Sequence, residues 1–217
     1  MSERRKLSVT IIAGEAEDEI RDCLESVKWA DEIFVVNSHS KDKTAEIARE
    51  YTDKVFLKEW EGYAAQKQCA LELATNEWVF SLDSDERVSD GLRTEIEDIL
   101  ANGSPHDGYL IPRRNYFLGR WIKYCGWYPG FQLRFFRKGK AKLNHRQIHE
   151  AFLVDGPIGY LTHDIIHHTH PTIHETLSKV NEYSTLRAQE KAARKRVTTL
   201  DLVLRPLAAF LQFYILK

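Results

Sequence analysis

EWVFSLDSDERVSDGLRTEIEDILANG, residues 77–103, reads as a strand, an acidic turn and a capped helix in that order. The strand is EWVFSLD (77–83), short, apolar and followed by charge. Ser89 or Asp90 stands where a helix N-cap belongs, and Asn102-Gly103 stops the helix that follows. Toward the N-terminus the same alternation repeats. KLSVTIIA (6–13), DEIFVVN (31–37) and KVFLKEW (54–60) are strand-like runs. Helical patterns lie between them at 17–30, 42–51 and 64–74. Ile20, Cys23, Leu24 and Val27 share one face of the first, and Asp42 is placed to cap the second. Strands alternating with helices of this length predict an α/β fold, a mostly parallel sheet with helices on both faces. Such sheets bind ligands outside the carboxyl ends of their strands. Chemistry is therefore expected just after Ala13, Asn37 and Leu82.

The pattern changes after residue 105. GYLIPRRNYF, QLRFFRKG, AFLVDG and DIIHHTH read as strands with little helix between them, around an aromatic stretch, GRWIKYCGWYPGF (119–131). No Gly/Ser-rich or Pro-rich linker separates the halves. One domain is expected over 1–170, with a first half to about residue 104 and a second half from about 105. Residues 171–217 read as helical. Thr172 and Glu175 form a capping-box pattern for a helix reaching toward Arg196. A second helix after Thr198 carries Leu200, Val203, Leu204, Leu207, Ala208 and Leu211 at helical spacing, with Pro206 placed to kink it.

Lys and Arg number 31 against 32 Asp and Glu, so no basic excess points to nucleic acid as the main partner. Cys23, Cys69 and Cys125 are too widely spaced for a disulfide framework or a zinc site, and read as reduced thiols of a cytoplasmic protein. The opening MSERRKLSVTII is too short in apolar residues for a signal peptide, and no apolar run reaches the roughly twenty residues of a membrane span.

SLDSDE (81–86) is the strongest local signal. If the strand persists to Asp85, Asp83 and Asp85 point to one side, where their repulsion is relieved by a shared divalent cation. Mg²⁺ takes few protein carboxylates and fills its shell with water and phosphate oxygens, the arrangement a nucleoside diphosphate needs. The same residues also read as an acidic turn that caps the next helix. In VVNSHSKDKT (35–44), Asn37, Ser38 and Ser40 are placed to meet a base or a ribose, or else to satisfy their own turn. Trp127 and Tyr128 offer aromatic faces to a sugar ring, and Arg134 and Arg137 offer bidentate forks to phosphate; core packing and surface charge are the alternatives. His149-Glu150 supplies a carboxylate in position for a general base. Five histidines fall in 163–174; His167 and His168 cannot both point inward on a strand, and one of the group is a candidate metal ligand.

These segments together resemble family 2 glycosyltransferases of the GT-A fold, in particular the small bacterial lipopolysaccharide-core β-glycosyltransferase type. The matching stretches are LESVKWADEIFVVNSHSKDKTAEIARE (24–50), GYAAQKQCAL (62–71), EWVFSLDSDERVS (77–89), GYLIPRRNYFLGRWIKYCGWYP (108–129), QLRFFRKG (132–139), IHEAFLVDGPIG (148–159) and LSKVNEYSTLRA (177–188). The resemblance implies a nucleotide-sugar donor, a UDP-sugar first, and a glycan or glycolipid acceptor. It places Asp83, Lys67, Asn37, Ser38, Arg134 and Arg137 on the donor. It puts Trp127, Tyr128 and His149 on the acceptor side, Glu150 as base, and Asp85 with His167 at Mg²⁺ or Mn²⁺.

This chain departs from that pattern in places. Relatives carry a Thr-Lys-Asn-Glu-like run where it has Ala13-Gly14-Glu15-Ala16, Asp in place of Asn37, and Gly in place of His39. A catalytically impaired nucleotide-sugar-binding or scaffold protein of the same fold is the alternative expectation. A nucleotidyltransferase is disfavoured because only one glycine follows the first strand. Arg187, Lys191, Arg194, Lys195 and Arg196 precede an apolar helix ending FLQFYILK. That order suits a peripheral contact of residues 187–217 with the inner face of the cytoplasmic membrane; packing on the domain or a dimer interface is the alternative.

Overall fold

The structure is a computed structural model. It describes residues 4–144, 151–169, 172–194 and 198–215. The chain divides into two compact units, one formed by residues up to Arg113 with Phe131–His167, the other by Arg114–Gly130 with His168 onward. The aromatic stretch 119–130 falls in the second of these units.

The first unit opens with β1 (Leu7–Ala13), α1 (Ile20–Val27), β2 (Glu32–Asn37), α2 (Thr44–Arg49), β3 (Val55–Leu57), α3 (Tyr63–Leu73), β4 (Trp78–Asp83), β5 (Glu86–Val88) and α4 (Asp90–Asn102). It continues through β6 (Gly108–Ile111) into β7 (Arg113–Phe117), which leads to β8 (Arg120–Trp121) in the second unit. The chain returns with β9 (Gln132–Arg137), β10 (Ala141–Leu143), β11 (Phe152–Val154), β12 (Ile158–Tyr160) and β13 (Ile165–His168). The sheet runs β12-β6-β9-β4-β1-β2-β3. β1 pairs in parallel with β2 and β4, and β2 in parallel with β3. β9 is inserted antiparallel to both β4 and β6.

Every residue of β1 is buried because β1 lies inside the sheet and is covered on both faces. Leu7, Val9 and Ile11 join Ile20 and Leu24 of α1 and Leu92, Ile96 and Leu100 of α4 in one cluster. Ile12 faces the other way, packing with Val36 and Ala70 of α3. The parallel register sets Ala13 opposite Asn37 and Ile12 opposite Asp83, so these three strands end level. That shared edge is where the sequence places chemistry.

Helix ends follow local chemistry. Ser89 Oγ accepts from Leu92 N–H at 3.4 Å to start α4, and Gly103 ends it at φ +84°, a left-handed conformation that suits glycine. α2 starts at Thr44 rather than 42. Asp42 accepts from Thr44 N–H at 3.0 Å and from Glu17 N–H at 3.1 Å, while Thr44 Oγ1 accepts from Ala16 N–H at 2.8 Å. The turn before α2 is thereby tied to the loop after β1. α1 starts at Ile20 rather than 17, after a turn in which Ala16 carbonyl accepts from Glu19 and Ile20 N–H. β5, β8, β10 and β12 are too short to show periodicity in the sequence.

In the second unit β7 and β8 form a hairpin, with Tyr116 opposite Trp121 and Phe117 opposite Arg120. α5 (Ile173–Arg194) and α6 (Thr199–Phe210) follow. The capping box that is seen starts α6, joining Thr198 and Asp201. The side chain of Glu175, expected in such a box with Thr172, lies outside the described residues. α6 continues through Pro206, and one π turn, Leu211–Ile215, follows it. Among the described residues no helix is long and apolar enough to cross a membrane.

Candidate active site

At the end of β4 the chain turns abruptly. The strand stops at Asp83, and Ser84-Asp85 form the turn into β5. The two carboxylates therefore do not share one strand face, and each meets partners of its own. Asp83 meets Lys67 Nζ at 3.1 Å and Arg134 at 2.6 Å. Asp85 meets His167 Nε2 at 3.2 Å. Each acid has been answered by its own cationic or imidazole partner.

Lys67 comes from α3 and Arg134 from β9, both nearly fully buried. Arg134 also bonds Glu86 at 3.1 Å, and Arg113 reaches the same Glu86 oxygen at 3.4 Å. Glu86, on β5, is wholly buried, and its other oxygen accepts from Asp83 N–H at 3.0 Å. Three cations, Lys67, Arg113 and Arg134, thus surround two carboxylates, Asp83 and Glu86. Burial pushes the Asp83 carboxyl up, and the charges of Arg134 and Lys67 overcome this and hold it well below the usual carboxylate range. Beneath it the Cys23 thiol donates weakly to Asp83 carbonyl at 3.6 Å, and burial raises that thiol's pKa well above its ordinary value. A node of fixed cations at a strand's carboxyl end is suited to a multiply charged anion.

β13 pairs antiparallel with β5 and sets His167 opposite Glu86, which brings the imidazole to Asp85. A carboxylate oxygen and an imidazole nitrogen are donors that Mg²⁺ or Mn²⁺ accepts when diphosphate and water complete its shell. Among the described residues no group of three or more His, Cys, Asp or Glu could hold an ion. The Asp85–His167 pair fits an ion that arrives with a phosphate ligand rather than one caged by protein.

Two other expected donor residues sit differently from the reading of the sequence. Asn37 is wholly buried: its Nδ2 donates to Ser40 Oγ and its Oδ1 accepts from Ser40 N–H, each at 2.9 Å. It shapes the turn after β2, the alternative the sequence offered for it. Arg137 lies opposite Trp78 at the amino end of β4, because β9 runs antiparallel to β4. There it pairs with Glu77, bonds Asp107 at 3.1 Å and lies over the Trp78 ring at 4.7 Å. It is removed from Asp83 by the length of β4. Ser38 remains at the level edge, half-buried, its N–H and hydroxyl both directed to Ala13 carbonyl.

Trp127 is exposed, and the Tyr128 ring meets Trp121 edge-on at 5.4 Å, both within the second unit. His149 and Glu150 lie outside the described residues. Glu86 and Arg113 were not assigned from the sequence. Their signal is indirect: a glutamate on a strand bound for the interior needs cations, and the arginine pair after Pro112 supplies one. A cavity of about 350 Å³ lined by Lys28, Glu32, Tyr51 and Lys54, among others, opens at the amino ends of β2 and β3, away from this node.

Comparison with known proteins identifies the family. A sequence model of the family described as Glycosyl transferase family 2 matches residues 8–166. Lipopolysaccharide core biosynthesis glycosyltransferase LpsC of Rhizobium meliloti (strain 1021) is 33% identical over 216 residues, 96% of this chain and 80% of that protein. An uncharacterized glycosyltransferase of Rickettsia bellii (strain RML369-C) is 41% identical over 107 residues, covering 49% of this chain but only 36% of the relative. Among solved structures, S. aureus TarS 1-349 in complex with UDP-GlcNAc matches with a TM-score of 0.55 at 18% identity, over 79% of this chain and 60% of that one. That likeness is one of fold. The family match spans most of the chain and includes the whole node around Asp83, so this protein belongs to glycosyl transferase family 2 and is a glycosyltransferase with the GT-A fold.

Proposed function

We propose that the chain moves a hexosyl or heptosyl group from a nucleotide-sugar, a UDP-sugar first, to a lipopolysaccharide-core or other surface-glycan acceptor, with inversion at the anomeric carbon. The observation that carries this reading is the cluster of Lys67, Arg113 and Arg134 around Asp83 and Glu86 where β1, β2 and β4 end level. The LpsC relative, whose name ties that protein to lipopolysaccharide core biosynthesis, supports the acceptor class.

The donor's nucleotide would bind along Ser38, Lys67 and Asp83. Mg²⁺ or Mn²⁺, when bound, would neutralise charge on the diphosphate, with Asp85 and His167 as its protein donors. An acceptor hydroxyl oxygen attacks the anomeric carbon as the bond to the diphosphate oxygen breaks on the opposite face. The acceptor proton passes to Glu150, the proposed base. The nucleoside diphosphate leaves with the bonding electrons, into the positive potential that Lys67 and Arg134 maintain. Trp127, Tyr128 and His149 are read as acceptor contacts.

α6 is read as the contact with an anionic membrane surface. Leu200, Val203, Leu204, Leu207 and Leu211 recur at helical spacing, and each is half or more exposed.

The test is turnover of a panel of UDP-, GDP- and ADP-sugars with and without Mn²⁺. Slow donor hydrolysis that needs Mn²⁺ and disappears in Asp85→Ala is the expected result. Metal-independent donor binding with no hydrolysis and no transfer would instead establish a binding protein.

A further inference from the structure

We propose that the Arg114–Gly130 loop is a binding surface for an acidic saccharide, a sugar bearing phosphate or carboxylate. The proposal rests on the reading of the chain as a glycosyltransferase and names the chemical class of its acceptor. The loop carries Arg114, Arg120 and Lys123 and contains no Asp or Glu, in a chain whose charges as a whole nearly balance. It also carries six aromatic residues, of which Tyr124 is 72% exposed and Trp127 40% exposed.

The backbone presents this surface in a defined shape. Leu118-Gly119 and Cys125-Gly126 each place two consecutive residues at positive φ, between +48° and +75°. Paired left-handed residues make the tight turns whose twist matches a hairpin. Asn115 Nδ2 donates to Trp127 carbonyl at 3.0 Å, and Ile122 N–H donates to Asn115 carbonyl at 3.0 Å, so both turns are tied to β7. The loop is therefore organised before any ligand arrives, which lowers the entropic cost of binding.

Two of its cations share one aromatic ring. Arg114 Cζ lies 4.4 Å and Lys123 Nζ 4.5 Å from the centre of the Trp121 ring. Lys123 is exposed, so its ammonium N–H groups reach solvent and any anion there. Arg120 is exposed on β8, next in the chain to Trp121 but on the other face of the strand, and among the described residues it pairs with no acid. Exposed ring faces suit the C–H face of a pyranose, and a guanidinium fork suits phosphate or carboxylate. Aliphatic side chains that would enter a bilayer are few here, Leu118 and Ile122, so the chemistry favours a sugar over lipid.

The test is calorimetric titration of the full chain with phosphopentamannose, and with the same pentasaccharide after its phosphate is removed. The phosphorylated sugar is expected to bind about tenfold more tightly at low salt. The preference should shrink at about 0.5 M salt. Arg120→Gln with Lys123→Gln should erase the preference, and Trp127→Ala should weaken both sugars alike. UDP is titrated into the same samples. Retained UDP affinity shows that the variants are folded, while failure of UDP to bind the parent chain counts against the donor reading alone. Equal affinity for the two sugars, absence of binding included, overturns the proposal. So does flotation with phosphatidylglycerol vesicles that depends on Arg120 and Lys123 while neither sugar binds.

Discussion

Asp83, Glu86, Lys67 and Arg134 are four ionised groups with little access to water, and each is tolerable only because the others are in place. Removing one charge strands its partner. Glu86→Gln keeps the shape but leaves Arg134 and Arg113 facing a neutral amide, and should destabilise the fold by about 3–5 kcal/mol in urea denaturation. A loss below about 1 kcal/mol would mean that the node is not a closed set of charges. His39 shows the opposite case, a residue whose backbone is under strain. It sits at φ +57°, where relatives are expected to carry glycine. Its side chain is exposed and its contact with Glu59 is long, at 3.5 Å. His39→Gly relieves left-handed strain of about 1–2 kcal/mol and restores part of that as unfolded-state freedom. A net gain of about 0.5–1 kcal/mol in thermal unfolding is expected.

At the scale of elements, the amino edge of the sheet is held by one carboxylate. Glu32 starts β2 and receives Lys54 Nζ at 2.7 Å, Thr75 N–H at 2.8 Å and the Ser8 hydroxyl, linking the segments that open β1, β3 and β4. Burial alone would raise its pKa; the bonds from Lys54, Ser8 and Thr75 overcome this and bring it down to about 2. A carboxyl depressed in the folded state contributes stability above its unfolded pKa, near 4.3, and loses it as pH falls toward the folded value. The contribution is about 3 kcal/mol at neutral pH and disappears between roughly pH 5 and pH 2. Urea denaturation across that window should show the parent losing stability more steeply than Glu32→Gln by that amount. Parallel curves would show that the strap does not act as drawn. The strands β1 to β4 were legible in the sequence to within three residues at their ends, because period and turn residues are local signals, whereas β5, β8, β10 and β12 were too short to read. The direction of β9 was not, and with it went the placement of Arg137. Arg134 and Arg137 read alike in QLRFFRKG, yet antiparallel pairing carries one toward Asp83 and the other to Trp78 at the far end of β4.

For the whole molecule, the two units differ in how they treat apolar surface. The first buries Leu7, Val9, Ile11, Phe80 and Phe135 completely. α6 leaves Leu204 at 52% and Leu207 at 56% exposure. Substituting such positions should cost little stability, within about 0.5 kcal/mol each, because no packed neighbour is lost. Under the membrane reading, Leu204→Glu with Leu207→Glu should abolish flotation with phosphatidylglycerol vesicles while the melting temperature holds. Flotation that survives both charges would sink that reading.

The residues alone determined the alternation of strand and helix, the strand ends where chemistry is expected, and the acidic turn after the fourth strand, since these follow from periodicity and turn preference between near neighbours. Tertiary structure decided which charges meet. The partners of Asp83 stand sixteen and fifty-one positions away in the chain, on a helix and an inserted strand, and Asp85 finds His167 only through β13. Long-range pairing of that kind is set by strand order and direction, which the core chooses by burying its apolar faces and not by any local pattern.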